Sequence, residues 1–408
     1  MPEFLRALRH PAFRIFFIGQ LCGAMGSWVQ LVAMGWLTYR ITGSVFMLGV
    51  VGFAGQIALL FLAPVGGMLA DRFNRRLMMM VNQVLIALQA LALAALTYTN
   101  AIQPWHIVTL ALVLGAFYAI DAPIRQAIPI QLVGDVRDLP NAIALVAITA
   151  NTARLIGPSI GGVLVGLVGE AGCFMVNAAS YLMTFLSISV LTLASPRAAK
   201  AGPALQAIAA GMRYAATTPT LRLLLLFSAS VAFFATAYLT LMPYFAREVY
   251  GAGPQLLGLL LGAAGLGSLA GSFILAASKR VQSLPRTVAV SVAVAGIALA
   301  VFPLTGVPAW GAVVLVPVGF GVVFCAGGAN TLLQHLVRED MRGRVMSLFV
   351  MLYYGVMPLG SLATGTLADA IGAKPTLVAF GAITAAAAFV MYHSARRLDW
   401  RGAGEHSR

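Results

Sequence analysis

Charge is what this chain has least of. Only 9% of its 408 residues are Asp, Glu, Lys or Arg, and the acids are the scarcer sign, 12 against 26 basic residues. Soluble domains carry about 25% charged and about 45–50% apolar residues. A chain that is 60% hydrophobic with a mean hydropathy of +0.91 lies far outside that range. Cysteine is nearly missing as well: Cys22, Cys173 and Cys325 fall in separate apolar runs with no CxxC and no His companion. That excludes a disulfide framework and a thiolate metal centre, and leaves them as small core residues. No G-x-x-x-x-G-K-[ST] loop occurs, so this chain alone does not drive transport with ATP, and no cofactor or metal is expected. Gly157-Pro158-Ser159-Ile160-Gly161 spells the nucleophile pattern G-x-S-x-G. It lies inside an apolar helix rather than at a strand-to-helix turn, so no catalytic residue and no enzyme are read from it. Ten-residue alternating segments are also missing, which excludes a membrane barrel.

What is present is a succession of long apolar runs. A helix needs about 20 such residues to cross the hydrocarbon core. Twelve runs qualify, at 14 to 39, 45 to 70, 77 to 99, 105 to 130, 140 to 168, 173 to 194, 221 to 246, 254 to 277, 286 to 305, 308 to 335, 345 to 370 and 375 to 396. The predicted fold class is an all-α membrane protein with twelve spans in the lipid bilayer. The first run is too long for a signal-peptide core and has no small-residue cleavage site, so it is kept as span 1. With a cytoplasmic N-terminus, 22 of the 26 Lys and Arg fall on the cytoplasmic side, Arg40, Arg247 and Lys374 fall outside, and Arg154 stands within a span. Such one-sidedness is the positive-inside rule. It places both termini in the cytoplasm and explains the net charge of +14 without nucleic acid.

The longest polar connection falls near the middle and divides the chain into a six-helix bundle at 1–194, a cytoplasmic linker at 195–220, a second six-helix bundle at 221–397 and a cytoplasmic tail at 398–408. The stretch ALQAIAAGMRYA within the linker suits a short surface helix. A shift of 204 lays Gly67 on Gly271 and Arg75, Arg76 on Lys279, Arg280; shifts of 205 and 200 lay Arg137 on Arg342 and Pro158 on Pro358. Internal symmetry of this kind marks transporters built from repeats, with the site near the bilayer midplane. One residue is not repeated: Asp71 falls on Leu275.

The stretch GMLADRFNRR (67 to 76) resembles the signature between helices 2 and 3 of the major facilitator superfamily, with Asn74 in place of a common Gly. ARLIGPSIGG (153 to 162) resembles the span-5 motif of that superfamily's exporters, with Ala153 in place of its first Gly. HPAFR (10 to 14), DAPIRQA (121 to 127), GMRYAATTPTLR (211 to 222) and RGRVMSL (342 to 348) are similar to the branch containing the enterobactin exporter and macrolide efflux proteins. The resemblance covers essentially the whole chain. It implies a secondary exporter of an amphipathic small molecule, such as a siderophore or drug, working by alternating access and proton antiport in a bacterial inner membrane, as a monomer. An importer or lipid transporter of the same fold is the alternative. A membrane-embedded enzyme would need a paired catalytic constellation, and none is found.

The resemblance also implies a cytoplasmic gate in which Asp71 contacts the start of span 11 and Arg72, Arg75 and Arg76 meet acids and carbonyls nearby. Asp121 comes sixteen residues after Trp105, about 24 Å along a helix, and Arg125 is one turn further on the same face. Both are assigned to that network. Arg154 is the most expensive residue, since an arginine near the midplane costs about 2.5–3.5 kcal/mol to insert; a cavity or an interhelical partner should receive it. Trp28, Gln30, Gln56, Tyr118, Asn151, Tyr238, Tyr353 and Tyr354 stand at intermediate depth and suggest an aromatic, polar-dotted substrate cavity with few charges. Gly157, Pro158, Gly161 and Gly162 predict a small-residue face for close helix packing. For proton coupling, Asp121 and Glu248 are the acids to consider.

Overall fold

The computed structural model describes the backbone of residues 3–133, 136–192, 204–278, 281–395 and 400. It describes the side chains of these residues except 3–5, 63–65, 67, 70–72, 127, 136, 204–208 and 281. No strand occurs among the described residues. Eleven helices are long and apolar enough to cross a membrane, and one of them, Leu139–Ser189, runs 51 residues and breaks at Gly169 (φ 70°, ψ 177°). That single left-handed residue does the work for which the sequence suggested a four-residue gap, and the count becomes twelve. Spans 1 to 4 are Pro11–Thr42, Val45–Arg72, Arg75–Tyr98 and Pro104–Ala127; spans 5 and 6 are 139–168 and 170–189. Span 7 is Pro219–Val249, and spans 8 to 12 are Pro254–Ala277, Leu284–Val301, Pro308–Leu336, Glu339–Ile371 and Ala373–Ser394.

Helix ends follow local chemistry. Pro11, Pro104, Pro140, Pro219, Pro285 and Pro308 stand in first turns, where their missing N–H is no loss. Ser44 and Asn74 cap spans 2 and 3 by accepting from Met47 N and Leu77 N. Every described residue with positive φ, namely Gly43, Asn100, Gly169, Gly251 and Gly372, lies in a turn from an odd to an even span. Most arginines of the sequence fall at the opposite span ends, Arg40 and Arg247 being exceptions. Span 7 departs from a plain helix, with π-helical turns at Val231–Ala235 and Phe245–Val249. The suggested surface helix is present at Ala204–Thr217, and Gly211 seats it on the backbone of Arg344.

The chain forms two compact units: Met1–Met47, Ala54–Ala199 and Ala246–Gly262 make up the first, and Leu48–Phe53, Lys200–Phe245 and Ala263–Arg408 the second. Lipid tails are as apolar as leucine, so helices in membranes associate through close packing and polar bridges rather than hydrophobic burial. In the first unit, a Cβ on Gly162 of span 5 would lie 2.9 Å from the Cα of Gly258 in span 8. In the second, a Cβ on Gly49 of span 2 would lie 2.8 Å from the Cα of Gly365 in span 11. Gly162 and Gly365 are 203 residues apart and Gly49 and Gly258 are 209 apart, close to the offset of the aligned repeats.

Candidate functional site

The first unit holds its polar side chains inside. Asp121, 2% exposed, is paired with Arg125 one turn on, and its Oδ1 accepts from Gln83 Nε2 (3.0 Å) and Asn82 Nδ2 (3.3 Å) of span 3. Arg125 also donates to Gln20 Oε1 of span 1. Within this cluster two buried amide atoms, Gln83 Oε1 and Gln20 Nε2, have no partner among the described residues. Deeper in the bundle, Tyr181 donates to Tyr118 (3.2 Å) and shares a hydrogen bond with Ser27 (2.8 Å). Beyond these, Asn177 Nδ2 donates to Gln30 Oε1 (2.6 Å), Gln30 Nε2 to Gln89 Oε1 (3.1 Å) and Gln89 Nε2 to the Leu110 carbonyl (3.0 Å). Spans 1, 3, 4 and 6 are thus bridged by amides, a carboxylate and phenols.

Gln30 was expected on the cavity surface; the structure buries it, 1% exposed, with both ends of its amide taken. Trp28 is half-buried, its Cβ lying 2.6 Å from where a Cβ on Gly157 would stand. Gly157 and Gly161 therefore admit span 1, Gly162 admits span 8, and Ser159 Oγ reaches the Gly258 carbonyl at 3.4 Å. Gln56 and Asn151 are half-buried. Arg154 is exposed and makes no ion pair or hydrogen bond with a described residue. Tyr238 is buried in span 7, Tyr354 is exposed, and Tyr353 is buried with its hydroxyl toward the Val322 carbonyl (3.4 Å) and Phe349 and Tyr354 around its ring. It serves the core of the second unit.

Of the expected cytoplasmic gate, the Asp71 and Arg72 side chains lie outside the described residues, as do Lys279 and Arg280, the counterparts of Arg75 and Arg76. Arg75 is half-buried, and Arg76 donates to the Ser189 carbonyl at the end of span 6. Glu248 is exposed and lies 3.7 Å from Arg247, whose guanidinium stands 5.8 Å from the centre of the Tyr39 ring. Arg40, another of the cations on that side, pairs with Glu170 at 2.7 Å. Two of the three cations that depart from the positive-inside pattern are thereby partnered.

One charged cluster had no sequence warning. Ahead of span 1, Arg6 and His10 both reach Asp138, His10 Nε2 donating at 3.0 Å, while Arg6 Nη2 donates to the Arg137 carbonyl (2.8 Å) and Ala7 N to Asn141 Oδ1 (2.8 Å). The His10 hydrogen bond, helped by the Arg6 charge, holds the Asp138 carboxyl below its ordinary value against partial burial. The missed amides of span 3 did leave a trace: Asn82 and Gln89 are seven residues apart, two turns on one face of an apolar helix.

A family model described as transmembrane secretion effector matches residues 4–401. The chain belongs to that family of major facilitator transporters. It is 28% identical over 381 residues to the multidrug efflux pump Tap of Mycolicibacterium fortuitum, covering 91% of this chain and 92% of that one. It is 22% identical to the staphyloferrin A transporter of Staphylococcus aureus (94% and 96% covered) and 26% identical to the enterobactin exporter EntS of Citrobacter koseri (89% and 84% covered). Among solved structures, a bacterial homologue of the human lysosomal transporter Spinster superposes with a TM-score of 0.75 at 15% identity, covering 97% of this chain and 98% of that one. The chain is a multi-pass membrane transporter of small molecules and not an enzyme.

Proposed function

We propose that this transporter exports an amphipathic small molecule from a bacterial cytoplasm by alternating access between the halves 1–194 and 221–397, with protons entering as the solute leaves. In this reading it works as a monomer in the inner membrane with both termini inside. The observation that carries the direction is the span-5 face: Gly157, Pro158, Gly161 and Gly162, the exporter-type motif, are all buried, and they admit spans 1 and 8 at backbone distance. Relatives named as an efflux pump and an exporter support it.

For coupling, Asp121 is the better placed of the two acids, because Glu248 is exposed beside Arg247. An ionised Asp121 only accepts hydrogen bonds; once protonated it must donate one. The Gln83 amide already faces it, and turning that amide presents the unpartnered Oε1 as the acceptor. Arg125, released from the carboxylate, keeps Gln20. Asp71, with Arg72, Arg75 and Arg76, closes the cytoplasmic side, and since Asp71 has no counterpart in the second half the closure is lopsided.

The test is uptake into inside-out vesicles of candidate siderophores and drugs, with and without an imposed pH gradient. Accumulation that follows the gradient and is lost in Asp121→Asn supports the reading. Accumulation indifferent to the gradient removes proton antiport, and uptake only in right-side-out vesicles reverses the direction. Asp71→Asn exporting at the wild-type rate removes the lopsided closure.

A further inference from the structure

Arg154 stands fifteen residues after Leu139 and fifteen before the break at Gly169, so it lies about 22 Å from either end of span 5, at mid-depth. Its position round the helix decides what it faces. Ile156, Ile160, Val163 and Leu167 are exposed along one stripe, the lipid-facing side of the span. At about 100° per residue, Arg154 projects about 150° away from the centre of that stripe. On the face it shares, Ala147 and Ala150 are exposed below it, and Gly157, Pro158 and Gly161 are buried above it. An exposed cation on the protein-facing side of a span faces water rather than hydrocarbon, which relieves its insertion cost.

Among the described residues no acid is placed to balance it. Asp121 is held by Arg125 toward the end of span 4. Asp138, Glu170, Glu248 and Asp340 stand at or beyond helix ends with basic partners of their own, at Arg6, Arg40, Arg247 and Arg338. Asp71, Glu339 and Asp369 lie at the ends of spans 2 and 11, and Glu3, Asp135, Asp399 and Glu405 lie outside every span. By sequence position none of the 12 acids falls at the middle of a span. The counter-charge for Arg154 has to arrive with the solute.

We infer that Arg154 anchors an anionic group of the transported molecule, which makes the solute an amphipathic organic anion. The planar guanidinium suits a carboxylate, catecholate or phosphate, which it holds through two parallel hydrogen bonds. Trp28 lies against Gly157, one turn further along the same side of span 5, and offers an aromatic wall for the apolar body of such a solute. This rests on the reading of the chain as a small-molecule exporter and narrows its amphipathic substrate to an anion.

Equilibrium binding to the full chain in lipid nanodiscs tests it without requiring transport, so a failure here is separable from a failure of export direction or proton coupling. The probes are a matched pair, radiolabelled 2-naphthoate and its neutral isostere 2-naphthamide, at low ionic strength in a buffer free of chloride and small carboxylates, since the same guanidinium can hold either anion. The wild type is expected to bind naphthoate at least about tenfold more tightly than naphthamide. Arg154→Gln should abolish that preference while keeping naphthamide binding, which also reports that the variant is folded, and Arg154→Lys, which keeps the charge but loses the two-pronged hydrogen bond, should retain part of it. Equal affinity of the wild type for the pair, no measurable binding of either, or an unchanged preference in Arg154→Gln overturns the inference.

Discussion

The two units solve the same packing problem with different chemistry. In the first, the buried polar side chains include Gln20, Gln30, Asn82, Gln83, Gln89, Asp121 and Asn177, and they bond from one span to another. In the second, the buried polar residues among those described are hydroxyls: Thr220, Ser228, Thr236, Ser268, Ser291, Thr364, Thr376 and Thr384. Most return their proton to the carbonyl four residues back in their own helix, as Ser228 does to Leu224, Thr236 to Ala232, Thr364 to Gly360 and Thr384 to Phe380. Rings fill the space there instead: Phe233, Phe234 and Phe380 meet at centroid distances of 4.7 to 6.2 Å, and Phe320 stacks on Phe324 at 5.4 Å. A hydroxyl bonded only to its own helix is satisfied without a neighbour and specifies little about one, although Ser268 also reaches the Gly319 carbonyl of span 10 at 3.2 Å. An amide bridge fixes which helices meet, and a buried carboxylate can change charge. In the function proposed above, the groups that respond to a proton or a solute are those of the first unit.

Removing Arg125 should break the contrast hardest. Arg125→Leu leaves Asp121 buried without its counter-ion, a loss expected at about 3–5 kcal/mol and seen as a lowered melting temperature in detergent. Next come the shared features, which should not discriminate. Gly162→Val in the first unit and Gly49→Val in the second both overfill a glycine crossing, at about 1–3 kcal/mol each by the same melting assay. A large difference between them would show that the two crossings are not equivalent.

Much of this was legible before any coordinates. Length and hydropathy point to the twelve spans, which the helices reproduce once the 51-residue one is divided at Gly169. The small residues of ARLIGPSIGG announced a close helix contact, since only a glycine face lets backbones approach. Depth counting does not tell which way a side chain faces, so of the residues it suggests for a cavity, Gln30, Tyr238 and Tyr353 are buried. The Asp138 cluster was invisible because its partners, Arg6 and His10, lie more than 120 residues away in sequence.

Smaller effects sharpen the comparison. Gln30→Leu strands Asn177 and Gln89 and should cost about 1–3 kcal/mol, whereas Thr384→Val, which removes only a bond within one helix, should stay within about 0.5 kcal/mol. Parallel melts of the two variants check this. The slightest effect depends on pH. Asp138 is held below its ordinary value near 3.9, so its stabilisation is complete above about pH 4 and fades as pH falls through the lowered value. Wild type and Asp138→Asn should melt apart at pH 7 and converge as the pH drops below about 4.

The central claim, that the responsive groups lie in the polar interior of the first unit, is tested most directly by vesicle transport normalised to folded protein. The comparison sets Asp121→Asn and Gln83→Leu against Thr364→Val and Thr384→Val. The account predicts that the first pair loses transport by about tenfold or more, and that the second pair stays within about twofold of wild type. Equal losses in the two pairs, or an Asp121→Asn variant that transports at the wild-type rate, would contradict it.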